Sequence, residues 1–120
     1  MSTFLARWIG IALIVIVGFI HLITAPHHFE AVTYLGWLFL ANFAGSLLAA
    51  VGIYRGASWG WLLGVLIAVV SFVAYLISRT VGLPGTGGEF VGHWNAWGIV
   101  SLIVEALFVV LYLGATTVRR

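Results

Sequence analysis

Four apolar stretches, each long enough for a membrane-spanning helix of about 20 residues, decide what this chain can fold into. They run from about Phe4 to Thr24, Tyr34 to Tyr54, Trp59 to Ser78 and Asn95 to Thr116. A helix satisfies its own backbone polar groups, so it can cross a hydrocarbon core of about 30 Å without water. Composition points the same way. Of 120 residues, 63% are apolar and 7% are charged, whereas a soluble domain carries roughly 25% charged residues. A small domain leaves too much surface in water to hide such a sequence. The expected fold is therefore all-α: an integral membrane four-helix bundle, up-down-up-down, forming a single transmembrane domain over residues 1–120.

The breaks between stretches have local causes. Pro26 is expected to end the first span, and Arg55, Gly56 and Ser58 to form a short turn. The run Gly82-Leu83-Pro84-Gly85-Thr86-Gly87-Gly88 cannot continue a helix, because Gly and Pro both interrupt it. The first span follows Arg7 as a signal peptide would, but it is too long and lacks a small-residue cleavage site, so it is read as a retained span.

Charge orients the spans. Arg7, Arg55, Arg119 and Arg120 fall on one side, and Arg79, Glu30 and Glu89 on the other. The positive-inside rule then puts both termini in the cytoplasm of a multi-pass plasma-membrane protein, with loops 25–33 and 80–94 outside. Trp8, Trp59, Trp61, Trp94 and Trp97 lie near span ends, where indole rings anchor at the interface. Small residues at four-residue spacing predict helix contact strips: Ala41, Gly45 and Ala49 in span two, and Gly60, Gly64 and Ala68 in span three.

Composition also excludes. With no cysteine there are no disulfides, thiolate nucleophiles or iron–sulfur clusters. The net charge of +2 is no nucleic-acid patch, and no basic run suggests one. No nucleophile elbow, phosphate loop or carboxylate pair points to catalysis. A single four-span unit is thin for alternating access.

The polar residues that remain gather toward one side. His21, His27, His28 and His93 all lie there, with Glu30 and Glu89. Were span four to start early, Glu89 and His93 would stand one turn apart on a helical face. Imidazoles completed by a carboxylate suit zinc or copper, and His21, His28 and His93 with Glu30 or Glu89 are the expected ligands. The plainer alternative makes these histidines interfacial caps. A third reading pairs His21 with His93 across two helices as axial ligands of haem b.

Within the spans, Glu105 is the costly residue, since a charge at bilayer depth is rare and functional by default. Ser101 and Tyr112 share its face. Asn42, Ser46 and Ser71 lie at similar depth, and together these residues predict an intramembrane polar layer with Glu105 bonded to Asn42 or Ser71. It would serve as interhelical glue or as a proton relay. Arg79 ends span three and is expected to pair with Glu89, pinning the Gly-rich loop, or to anchor at the interface.

Several pieces together resemble a known group. They are His21 at the end of span one, the loop Ala25-Pro26-His27-His28-Phe29-Glu30, the run Ser78-Arg79-Thr80-Val81-Gly82-Leu83-Pro84, and Glu105 in span four. This order is similar to that of small prokaryotic four-span membrane proteins with an outer His-rich loop and an Arg-Thr-x-Gly-Leu-Pro run. The resemblance covers nearly the whole chain and implies an all-helical membrane fold. It carries over no activity or ligand. The functional expectation is a non-enzymatic membrane component with an outward His/Glu site for a divalent metal. The alternatives are an accessory or scaffold subunit without a ligand, and a haem redox carrier. The expected partners are the lipid bilayer and either a second copy or a larger membrane complex.

Overall fold

A computed structural model describes residues 3–119, with side chains through residue 115. It contains four α-helices: α1 (Thr3–Ala31), α2 (Thr33–Tyr54), α3 (Ser58–Thr80) and α4 (Ala96–Arg119). All four are long and apolar enough to cross a membrane. Arg120 lies outside the described residues, as does the side chain of Arg119.

The helix ends follow from identifiable chemistry. Pro26 does not end α1, which continues to Ala31. A proline removes one backbone donor, but the last turns of α1 bury Ala25 and His28, and that packing holds the helix together. One extended residue, Val32 (φ −149, ψ 120), then separates α1 from α2. Gly56 closes α2 with φ 75. Its amide donates to the Ile53 carbonyl and that of Ala57 to the Gly52 carbonyl, a Schellman end that only an unhindered residue forms cheaply. Asn95 starts α4, its Oδ1 accepting from the Gly98 amide at 2.7 Å, which satisfies one of the helix's orphan donors.

The contacts run in register along the helices. Between α1 and α2, Trp8 meets Tyr54, Phe19 meets Phe43 and His21 meets Phe39. Gly52 faces Gly60, Gly45 faces Ile67, and Asn42 bonds Ser71. Trp61 stacks on Phe108, and Gly98 lies under the Tyr75 ring. Thus α1 and α3 each pack against α2 and α4, on opposite corners of the bundle.

The core is narrow. Ile14, Val17, Ala49, Ile53, Ala68, Val104 and Phe108 are buried in one cluster. Outward positions such as Leu62, Leu66, Val70, Leu107 and Val110 are exposed and apolar, an arrangement suited to a lipid solvent. Of the small-residue strips, Gly60, Gly64 and Ala68 are all buried. The strip on α2 runs differently, because Ala41 is exposed while Ala49 and Gly52 are buried.

Candidate functional site

One candidate lies at the end of the bundle where α1 passes to α2 and α3 to α4. His21 and His28 are two turns apart on one face of α1, and both are buried. The His21 Nδ1–H donates to the Val17 carbonyl at 2.8 Å, and the His28 Nδ1–H to the Thr24 carbonyl at 2.9 Å. A carbonyl only accepts, so the proton in each neutral ring sits on Nδ1. His28 is stacked between Phe39, at 3.8 Å and 22°, and Phe90, at 5.4 Å and 21°.

Arg79 extends this stack. Its guanidinium carbon lies 4.2 Å from the Tyr75 ring centre and 5.0 Å from that of Phe90, distances at which a cation is attracted to an aromatic face. Nε donates to the His93 carbonyl at 2.9 Å, and a terminal nitrogen donates to Ser78 Oγ at 2.7 Å. Phe39, His28, Phe90, Arg79 and Tyr75 thereby form a continuous pile of flat groups drawn from α2, α1, the connecting segment and α3. The segment between α3 and α4 is tied down further by Thr86 bonding the Leu83 carbonyl, by Gly92 bonding the Arg79 carbonyl, and by Tyr34 bonding the Pro84 carbonyl.

This arrangement differs from the expected ligand set. Among the described residues, no three or more His, Cys, Asp or Glu side chains come together to hold a metal ion. His27, His93, Glu30 and Glu89 are exposed, whereas His21 and His28 are buried. Glu89 lies in a turn and His93 in irregular chain before α4, which starts at Ala96, so they share no helical face. The haem pairing has the same difficulty: His21 sits tilted on Phe39 at 4.9 Å, while His93 is exposed on the connecting segment. Arg79 is held by a carbonyl, a hydroxyl and two rings rather than by Glu89.

The second candidate is Glu105, 1% exposed at mid-helix in α4. Ser101 Oγ donates to its Oε2 at 2.8 Å, and Oε1 is buried without a partner. Asn42 Nδ2 donates to Ser71 Oγ at 2.7 Å, and Ser46 Oγ to Asn42 Oδ1 at 3.2 Å. The expected layer is therefore two separate networks, one joining α2 to α3 and the other within α4. Glu105 bonds neither Asn42 nor Ser71. A groove of about 280 Å³ opens beside it, lined by Ala68, Val69, Phe72 and Val73 of α3 and by Glu105, Ala106, Val109 and Val110 of α4.

Sequence reasoning missed Phe90 and Phe39, which carry no polar signal. The only hint of Phe90 was its place as a lone bulky ring two residues after a glycine-rich run.

No protein-family model, curated protein or solved structure matches the chain.

Proposed function

We propose that the chain is a small non-enzymatic component of the cell membrane, spanning it four times with alternating direction and both termini in the cytoplasm. The observation that carries this reading is the sorting of charge along the bundle. Arg7 lies beside Gly56 in the α2–α3 turn, next to Arg55, so two described cations share one end. Glu30, Glu89 and Arg79 occupy the other. The in-register contacts between successive helices support antiparallel neighbours, and the bias of Arg supports the Arg7 end as the inner one. The outer end is a protein-made roof, in which aromatic rings shield His28 and Arg79 while His27, Glu30, Glu89 and His93 meet the headgroup layer.

Paired cysteine labelling tests the orientation, and the chain has no cysteine of its own. Ser58→Cys and Glu89→Cys both change exposed residues. In intact cells a membrane-impermeant maleimide labels the Glu89→Cys protein, and labels the Ser58→Cys protein only after permeabilisation. The reverse pattern overturns the orientation, and labelling of both from outside overturns the four-span arrangement.

A further inference from the structure

His28 stands in the middle of the pile that ties the α3–α4 segment to the bundle. Its Nδ1–H donates to the Thr24 carbonyl, so a second proton can go only on Nε2. Among the described residues none bonds Nε2. The ring is 8% exposed, an opening that admits a proton but little water to solvate the charge it brings.

The groups around the ring make that charge unwelcome. From α1 it faces His27, 5.5 Å away between ring centres, and His21 lies against the same Phe39 that His28 stacks on. From α2 it meets Phe39 and from the connecting segment Phe90, neither of which titrates. From α3, the Arg79 guanidinium shares the Phe90 ring at 5.0 Å, with Tyr75 beyond it. The charged groups near enough to act on His28 are thus His27 and Arg79, and no carboxylate is among them. Glu30 and Glu89 are exposed, as is the His93 ring, whose backbone carbonyl is the part that meets Arg79. An aromatic face attracts a cation, but Arg79 already occupies Phe90, so a charged His28 would place two cations on one ring.

We propose that His28 is an acid-triggered latch: a proton on Nε2 drives its ring out of the pile, which frees the segment of residues 86–93 and uncovers Arg79. Out of the pile, the ring takes up its proton at the ordinary imidazole value of about pH 6.5. The closed form is therefore fully favoured above that value and loses up to about tenfold for each pH unit below it. Histidine is the side chain whose charge changes in this range, and such a change biases an element with two arrangements.

Which side of the membrane is sensed rests on the proposed orientation, but the latch itself is tested in micelles, where sides do not exist. Amide hydrogen exchange is measured on the purified full chain at about pH 7.5 and about pH 5, the range over which imidazole titrates, with each rate divided by that of an unstructured peptide at the same pH. Residues 86–93 are expected to lose protection by about tenfold or more, and residues 46–53 of α2 by less than about twofold. In His28→Phe, which keeps a flat ring between Phe39 and Phe90, residues 86–93 should no longer respond to pH. Unchanged protection of residues 86–93 in the unmodified protein, or an equal response in His28→Phe, overturns the proposal. A second measurement needs no variant. Nitrogen-15 NMR of the unmodified protein, with each imidazole assigned through its own backbone, should find His28 neutral at the higher pH and gaining its Nε2 proton over the interval in which the segment opens. A ring already charged at the higher pH, or still neutral after the segment has opened, also overturns the proposal.

Discussion

Gly52 and Gly60 meet backbone to backbone: a methyl group on Gly60 would lie 2.4 Å from the Ile53 nitrogen and 2.7 Å from the Gly52 Cα. No side chain can move aside to relieve that overlap, so α2 and α3 would have to separate. Gly60→Ala is therefore expected to destabilise the bundle by about 1–3 kcal/mol, as overpacking does. Gly114 is the control, since nothing lies within 4 Å of a methyl group there. Gly114→Ala should be neutral or stabilising by up to about 1 kcal/mol, the helix-propensity difference. Denaturant titration in mixed micelles measures both.

Arg79 uses its plane as well as its charge. Lysine keeps the charge, but it has no flat face for Tyr75 and Phe90 and no Nε fork for the His93 carbonyl. Arg79→Lys is expected to release the segment between α3 and α4. Amide hydrogen exchange over residues 86–93 should accelerate by about tenfold, equivalent to about 1.4 kcal/mol of lost local stability, while exchange in α2 stays unchanged.

His28 tests whether the pile of rings depends on shape or on imidazole chemistry. His28→Ala removes the plate between Phe39 and Phe90 and should cost about 1–3 kcal/mol, from two aromatic contacts worth about 0.5–1.5 kcal/mol each. His28→Phe restores both faces and loses only the bond to the Thr24 carbonyl, so it should recover more than half of that loss. Thermal unfolding of the three proteins in one detergent decides the order.

Metal analysis gives a further check. With no group of three or more His, Cys, Asp or Glu side chains assembled among the described residues, elemental spectroscopy of chelator-washed protein is expected to find less than one zinc or copper per chain. A stoichiometric ion, lost on His21→Ala or His28→Ala, would require the outer end to rearrange around it.

What was legible in the sequence was what lipid imposes. Apolar length sets the helices, and Gly60, Gly64 and Ala68 announce a contact strip because only small residues let helices approach closely without a hydrophobic drive between them. The shared depth of Asn42, Ser46 and Ser71 was readable, but the bond expected from Glu105 to Asn42 or Ser71 is replaced by one between Asn42 and Ser71 themselves. Other features depended on packing that spacing does not encode. Pro26 looks like a terminator, yet α1 continues through it because the turn beyond carries the buried His28. The histidines look like a cluster, but helical geometry turns His21 and His28 inward and His27 outward, while the glycine-rich segment carries His93 to the surface. Glu105 was conspicuous, whereas its lack of any partner beyond Ser101 became visible only once α3 and α4 were placed.

The 29 residues of α1, against 22 in α2, set a fixed overhang. At about 1.5 Å per residue, α1 exceeds a hydrocarbon layer of about 30 Å by roughly two and a half turns, whereas α2 nearly matches it. The three shorter helices therefore determine the membrane thickness the protein prefers. Phe29 meets Gly36 in the first turn of α2 and Trp8 meets Tyr54 at its last residue, so the surplus of α1 lies mainly before Trp8 and forms a projecting foot at the Arg7 end.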